Sequence, residues 1–211
     1  MTYPGFFITL EGGDGSGKST QAALLAEALH TAGRTVVCTR EPGGTAVGVE
    51  IRNIVLHHRG DISPRAEALL YAADRAHHVE TVVRPALERG EVVIQDRYID
   101  SSLAYQGAGR VLEVEHVRAV SEWATDGLLP DATVLLDLDP TAARRRLTRA
   151  RAEYDRLEAE ATAFHDRVRS AYLALAATEP TRFIVVDATL PVSAIASEIR
   201  RRVTALLAER A

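Results

Sequence analysis

The sequence is poor in cysteine and lysine, and each scarcity narrows what the protein can be. A single cysteine, Cys38, cannot form a disulfide within the chain, which favours a reducing compartment. It lies in the apolar stretch Thr35–Thr39, where we expect a buried small hydrophobic side chain rather than a nucleophile. Lys18 is the only lysine, and the other 24 basic residues are arginine. This contrast indicates that position 18 requires a slender ammonium group rather than a planar guanidinium.

Long apolar runs and an excess of positive charge are also missing. No apolar run reaches the roughly 20 residues that span a bilayer, and no basic segment with a cleavage site marks a secretory signal. The net charge of −4 argues against a general nucleic-acid binder, which usually carries a basic face. With 211 residues and 46% hydrophobic content, the chain predicts one cytoplasmic domain, residues 1–211, with a core that needs no disulfide or structural metal.

Short apolar runs separated by helical patterns predict an α/β fold. The runs lack strict alternation, which is typical of strands covered on both faces. The predicted strands are Phe6–Leu10, Thr35–Cys38, Val92–Ile94, Thr133–Leu138 and Phe183–Val186. The predicted helices are Ser19–Thr31, Ala66–Arg89 with a kink or break at Pro85, Glu113–Thr125, two helices around a loop within Thr141–Ala177, and Ser193–Glu209. This order favours a parallel sheet with helices on both faces and right-handed crossovers.

A glycine-rich loop follows the first predicted strand and precedes the first predicted helix. Residues Gly12–Ser19 match the pattern G-x-x-x-x-G-K-[ST], in the context that this phosphate-loop motif requires. Its backbone N–H groups and the helix N-terminus suit phosphate oxygens. We expect Lys18 to reach the β- and γ-phosphates and Ser19 to bind Mg²⁺. The predicted ATP-binding residues are Gly12, Gly13, Asp14, Gly15, Ser16, Gly17, Lys18, Ser19 and Thr20.

The loop by itself predicts a nucleotide site and leaves the activity open. GTPases, ATPase motors and small-molecule kinases all share it. A guanine-reading N-K-x-D sequence is absent because Lys18 is the only lysine, which disfavours a GTPase switch without excluding an ATP-driven one.

Three further stretches are far more specific. They are T-R-E-P-G-G-T at Thr39–Thr45, L-Y-A-A-D-R at Leu70–Arg75, and D-R-Y-I-D-S-S at Asp96–Ser102, continued by A-Y-Q-G at Ala104–Gly107. Together with the loop they resemble bacterial thymidylate kinases over nearly the whole chain. The resemblance implies a P-loop three-layer α/β sandwich with a five-stranded parallel sheet. It also implies the reaction of ATP with dTMP to give ADP and dTDP for dTTP biosynthesis, with Mg²⁺, in a homodimer.

The same resemblance assigns roles at the acceptor site. It implies that Arg97 and Arg52 hold the 5′-phosphate of dTMP, that Arg75 contacts the thymine edge and that Tyr105 crowds the sugar 2′ position. Tyr71 would stack on the base, at a position that is commonly Phe in the family. The full implied dTMP-binding set is Asp14, Arg40, Glu41, Arg52, Tyr71, Arg75, Arg97, Ser102, Tyr105 and Gln106. Asp96 and Glu41 would join Ser19 on the magnesium side.

An arginine-rich segment, residues 144–160, is predicted to be a lid. A kinase must keep water away from ATP and must bring positive charge to the transferring phosphoryl group. Some thymidylate kinases carry a basic residue inside the phosphate loop, but this chain has Gly15 there. The resemblance therefore implies that lid arginines supply the charge. The implied catalytic residues are Lys18, Arg97, Asp14, Arg149, Arg151 and Arg156, whereas Arg144 and Arg145 are interpreted as a solvated helix face.

Other interpretations of these residues stay open at this point. Arg52 could be a solvated helix residue, Arg75 could serve a salt bridge, and Arg97 could form a structural ion pair with a carboxylate. The enzyme could instead phosphorylate deoxyuridylate or deoxyguanosine, and a protein of another class, an ATP-binding switch, could share the loop. The pairs His57-His58 and His77-His78 are expected at the surface or an interface, and Trp123 is expected to be a packing residue.

Overall fold

The computed structural model describes residues 3–150 and 155–210, and of residues 149 and 150 it describes the backbone only. Its centre is a five-stranded, fully parallel sheet in the order β2-β3-β1-β4-β5. The strands are β1 (Phe6–Glu11), β2 (Val36–Arg40), β3 (Val92–Asp96), β4 (Ala132–Asp137) and β5 (Phe183–Asp187). All five predicted strands are therefore confirmed to within about two residues.

Helices cover both faces of the sheet. They are α1 (Lys18–Thr31), α2 (Ala46–His57), α3 (Pro64–His78), α4 (Arg84–Glu88), α5 (Ile99–Ser102), α6 (Val114–Thr125), α7 (Pro140–Ala150), α8 (Thr162–Thr178) and α9 (Val192–Glu209), with π-helical turns at Val79–Val83 and Leu103–Gly109. Alternate residues of β1 face opposite layers. Ile8 packs with Leu25 of α1 and Ile199 of α9, whereas Phe7 packs with Val83 and Leu87 on the other side. This alternation buries β1 completely.

The predicted helix over Ala66–Arg89 is present, and the break predicted near Pro85 is a π-helical turn rather than an interruption. The chain is helical from Pro64 to Glu88, and it widens into the π-turn Val79–Val83 just before Pro85. Proline has no N–H and its ring crowds the preceding turn, so a wider turn accommodates it without ending the helix. None of the described helices is long and apolar enough to cross a membrane.

Three predictions about single residues were wrong. Cys38 is exposed, because β2 is an edge strand and one of its sides has no neighbour. Trp123 on α6 is 83% exposed and packs into no core. His78 is buried, with Nδ1 2.9 Å from Glu41 and Nε2 2.6 Å from Thr39. A helix places i and i+1 on different faces, so His77 remains exposed while His78 points inward.

Candidate active site

The carboxyl ends of the strands bring distant segments of the chain together. Asp96 at the end of β3 is in register with both Leu10 of β1 and Arg40 of β2. The phosphate loop, the segment after β2 and the segment after β3 therefore start from one edge of the sheet. In open parallel sheets this edge is where ligands bind.

The phosphate loop curls around its own lysine. Lys18 begins α1 and is 7% exposed, and its Nζ donates to the carbonyl oxygens of Gly12 at 3.1 Å and Gly13 at 3.0 Å. Burial lowers the pKa of Lys18, and the nearby Arg97 lowers it further. A negatively charged phosphate in the loop would offset this desolvation, which is why a buried ammonium belongs in an anion site.

Gly15 explains how the loop and α7 fit together. Its φ of +79° lies in the region that favours glycine, and a Cβ there would lie 2.8 Å from the carbonyl oxygen of Ala143 and 3.1 Å from Leu147. Helix α7 therefore occupies the space that a larger side chain at this position would need. This close packing leaves no room for a basic side chain at position 15.

The open crevice beside the loop contains a carboxylate with a free oxygen. The Ser19 hydroxyl donates to Asp96 Oδ2 at 2.8 Å, whereas Asp96 Oδ1 is buried and has no partner among the described residues. A hydroxyl and a single carboxylate suit Mg²⁺, which proteins usually hold through one or two carboxylates together with nucleotide phosphates. The described residues include no cluster of three or more His, Cys, Asp or Glu that could hold a metal without the nucleotide.

A second, more enclosed cavity adjoins the crevice. Its lining includes every predicted acceptor residue except Arg40, which is exposed and lines the crevice instead. Four residues line both spaces, namely Asp14, Glu41, Arg52 and Arg97. The two spaces therefore communicate at a point where two guanidinium groups and two carboxylates converge.

Arg97 forms the centre of this junction. It has a φ of +69°, which is rare for a residue other than glycine and indicates a backbone held by its surroundings. Its Nη2 donates to Asp14 Oδ1 at 2.6 Å and to the Tyr105 hydroxyl at 3.2 Å, while that hydroxyl donates to Asp14 Oδ2 at 2.9 Å. Burial alone would raise the pKa of Asp14, but Arg97 and Lys18 outweigh it and hold that pKa well below its usual range.

Glu11, which sequence reasoning missed, orders the network behind Arg97. Its carboxylate accepts from the Tyr98 N–H at 2.7 Å, the Ser101 hydroxyl at 2.6 Å and the Tyr172 hydroxyl at 2.9 Å. Arg97 Nη1 in turn donates to the hydroxyl oxygens of Ser101 at 3.1 Å and Tyr172 at 3.4 Å, so Glu11 holds the two groups that contact Arg97. Burial and the nearby Asp100 raise the pKa of Glu11 to about 6. A charged residue closing an apolar strand is the only hint that the sequence offers.

Arg75 is 1% exposed, and its guanidinium is held on several sides. Nε donates to Glu41 Oε2 at 2.8 Å, and Nη2 donates to the Ser102 hydroxyl oxygen at 3.0 Å. The other oxygen of Glu41 lies 2.9 Å from His78 Nδ1, so both Glu41 oxygens are engaged by protein groups. Arg52 is half-buried and donates to the Pro42 carbonyl at 3.0 Å. It faces the cavity rather than lying on a solvated helix surface.

The arginines of segment 144–160 have different surroundings. Arg151 lies outside the described residues, as does the side chain of Arg149. Arg156 donates through Nε to the Val55 carbonyl at 2.9 Å and forms an ion pair with the buried Glu67. Arg146, which was not predicted, donates to the Ala188 carbonyl at 2.8 Å and lines the crevice.

A strand–loop–helix phosphate site beside an enclosed pocket with its own guanidinium groups defines a P-loop kinase of small phosphorylated acceptors. The family model described as thymidylate kinase matches residues 10–199. The chain belongs to the thymidylate kinase family.

Named relatives agree with this assignment. The thymidylate kinase of Leifsonia xyli subsp. xyli is 74% identical over 199 residues, covering 94% of each chain. That of Clavibacter sepedonicus is 69% identical over 204 residues, covering 97% of each. The crystal structure of thymidylate kinase from Ehrlichia chaffeensis superposes with a TM-score of 0.78 at 32% identity, covering 94% of this chain and 98% of that one. The predicted family and fold class are therefore confirmed.

Proposed function

We propose that the protein transfers the γ-phosphoryl group of ATP to dTMP, with ATP in the crevice and dTMP in the enclosed cavity. The observation that carries this proposal is the junction of the two spaces at Asp14, Glu41, Arg52 and Arg97. A switch that only binds and hydrolyses a nucleotide has no need of a second pocket containing guanidinium groups. The membership of the thymidylate kinase family supports dTMP as the acceptor.

The transfer requires positioning more than proton transfer. A 5′-phosphate oxygen of dTMP is anionic near neutral pH and can attack the γ-phosphorus of ATP in line without a strong general base. Arg97 and Arg52 hold the acceptor phosphate through forked N–H donors, and Arg40 adds positive charge at the crevice wall. The Lys18 ammonium stabilises the negative charge on the β- and γ-phosphates as that charge moves toward the leaving ADP. Asp14 keeps Arg97 and Tyr105 in place beside the acceptor sugar and phosphate.

We further propose that Mg²⁺ is the metal, held by Ser19 and Asp96 together with phosphate oxygens. The unpaired Asp96 Oδ1 supports this assignment, whereas the two engaged oxygens of Glu41 support a role for Glu41 in shaping the acceptor side. When bound, the metal neutralises charge on the β- and γ-phosphates and aligns them.

The lid proposal rests on residues 144–160. Closure of this segment would exclude water from the phosphates, and Arg149 and Arg151 are the candidates for delivering positive charge to them. Arg156 was proposed for the same role from the sequence. Its ion pair with Glu67 supports a second role, as an anchor of the lid beside the acceptor cavity.

A homodimer and a cytoplasmic location complete the proposal. Neighbouring helices α2, α3 and α6 carry exposed large apolar side chains, namely Val47, Ile54, Leu69 and Trp123. Such side chains favour burial against a second copy. Sedimentation equilibrium tests the proposal, with Leu69→Glu expected to shift the protein to monomer.

The single cysteine and the need for intracellular nucleotides support the cytoplasm.

An ADP-release assay tests the reaction. With MgATP, release should depend strongly on dTMP, weakly on dUMP and dGMP, and should be low without an acceptor, with dTDP appearing in step with ADP. Equal release with and without every acceptor would leave only an ATPase and would remove the acceptor assignments.

A further inference from the structure

Glu67 is a fully buried carboxylate near the start of α3, at 0% exposure. Three side chains from two other segments converge on it. Gln106 donates from Nε2 to Glu67 Oε1 at 2.9 Å, Arg110 donates from Nη2 to Oε2 at 3.2 Å, and Arg156 forms an ion pair with Oε2. Burial alone would raise the pKa of Glu67, but the hydrogen bonds from Gln106, Arg156 and Arg110 outweigh burial and lower it. The carboxylate is therefore charged at neutral pH.

An ionised carboxylate fixes the orientation of the Gln106 amide. It can only accept hydrogen bonds, so the NH₂ group of Gln106 must face Glu67 and the amide oxygen must point the other way. Gln106 is 1% exposed and lines the acceptor cavity. Gln106 Oε1 accepts no hydrogen bond from the described residues, and this oxygen is not among the buried unpaired atoms. The atom that Gln106 offers to a ligand is thus an acceptor.

An acceptor at this place separates pyrimidine bases by chemistry. The N3 atom of thymine carries a hydrogen and donates, whereas N3 of cytosine has a lone pair and accepts. We propose that Glu67 is a positioning residue that locks the Gln106 carboxamide with its oxygen toward the base, so that the cavity accepts thymine and rejects cytosine. This inference rests on the proposed dTMP site and deepens it. Glu67 acts through Gln106 and does not touch the nucleotide itself.

The same carboxylate also fixes the wall of the cavity. Arg156 is held by Glu67 and by the Val55 carbonyl, and its neighbours Asp155 and Leu157 line the acceptor cavity. The Asp155 carboxylate caps the N–H groups of Leu157 and Glu158 at 2.9 Å each, which makes this a formed turn. Glu67 therefore contacts both Gln106 and the Arg156 turn that forms part of the cavity wall.

Glu67→Gln tests the inference, because it keeps the shape and removes the charge that fixes the amide. Gln106 can then present its NH₂ group to the ligand. In the variant, we expect the KM for dTMP to rise about tenfold or more with little change in the KM for ATP. The decisive readout is the ratio of the dCMP inhibition constant to the dTMP dissociation constant, which should fall by about tenfold or more.

Two further variants separate the possible outcomes. Glu160→Gln removes the other carboxylate paired with Arg110 but leaves the bond between Glu67 and Gln106, so it should keep the wild-type ratio. Gln106→Leu should lower the ratio as Glu67→Gln does. If only Gln106→Leu lowers it, the inference about Glu67 is overturned and the base site stands. If Gln106→Leu also leaves it unchanged, both the inference and the assignment of Gln106 to dTMP are overturned.

A purely structural role is distinguishable as well. Equal losses toward dTMP, dCMP and ATP in Glu67→Gln would overturn the inference. Should that variant not fold, Glu67→Asp replaces it, because it keeps a charge for Arg110 and Arg156 but withdraws the carboxylate from Gln106 by one methylene. The same fall in ratio is expected, and a wild-type ratio would overturn the proposal.

Discussion

The acceptor cavity and the phosphate crevice lie side by side but are built in opposite ways. In the cavity, several polar side chains are buried and paired with each other, as Arg75 is with Glu41 and Gln106 is with Glu67. In the crevice, Ser19 and Arg40 are exposed, and the buried Asp96 Oδ1 has no partner among the described residues.

This difference indicates how each space achieves its selectivity. A pocket whose donors and acceptors are fixed in advance can reject a ligand with the wrong pattern, because a mismatch leaves buried groups unpaired. A crevice made of backbone N–H groups and an unpaired carboxylate oxygen instead gains its partners from the phosphates and the metal. We therefore expect substitutions in the crevice to abolish transfer, and substitutions in the cavity to alter acceptor binding.

Lys18→Ala, a substitution in the crevice, should cause the largest loss of phosphoryl transfer. Loss of the buried ammonium removes the positive charge that stabilises the phosphates during transfer. We therefore expect kcat to fall by about 10²–10³-fold or more. The melting temperature should stay near the wild-type value, since among the described residues Lys18 Nζ hydrogen-bonds to carbonyls of its own loop alone. Single-turnover kinetics with dTMP would measure the effect, and near-normal turnover would remove the phosphate loop from the mechanism.

Arg97→Ala should distinguish the acceptor cavity from the crevice, because it should weaken the use of dTMP but not the binding of ATP. Without its forked donors, the acceptor phosphate loses a charge-assisted contact, and we expect kcat/KM for dTMP to fall by about 10–100-fold while the Kd of ATP hardly changes. Titration of each nucleotide separately, combined with steady-state kinetics, would measure both quantities. A loss confined to ATP affinity would move Arg97 to the donor side.

Glu11→Gln should change how stability depends on pH. The folded-state pKa of Glu11 is raised from 4.5 to about 6, so the native state holds this proton more tightly than the unfolded chain. Wild-type stability should therefore fall by about 2 kcal/mol as pH rises from about 4.5 to above 6, and the variant should lack this part of the fall. Urea unfolding at pH 4 and pH 7.5 would measure it. Parallel pH dependence in the two proteins would contradict the assignment.

Tyr71→Phe should have the smallest effect. Tyr71 lines the acceptor cavity, and its hydroxyl has no hydrogen-bond partner among the described residues. If its ring alone contacts the base, kcat/KM for dTMP should change by less than about threefold, because stacking is kept. A larger loss would mean that the hydroxyl reads the nucleotide, which competition between dTMP and dUMP would then characterise.

The sequence determined the parts of this protein whose chemistry is local. The loop Gly12–Ser19 needs only adjacent glycines, a lysine and a serine between a strand and a helix, so a short segment is enough to predict it. The strands could be predicted for the same reason, since burial on both faces requires continuous apolar runs. The resemblance to thymidylate kinases brought the acceptor residues into the prediction, and the cavity contains all of them but Arg40.

Only the tertiary structure decided which groups meet. Arg97 and Asp14 are 83 residues apart and Tyr172 is 161 residues from Glu11, so no local pattern could pair them. The sheet order put β2 at an edge and thereby exposed Cys38. The fold likewise turned Arg156, which lies in a turn, toward the buried carboxylate of Glu67 on α3. The sequence specifies the type of each side chain. The partner that fixes the charge and orientation of that side chain is determined by packing between elements far apart along the chain.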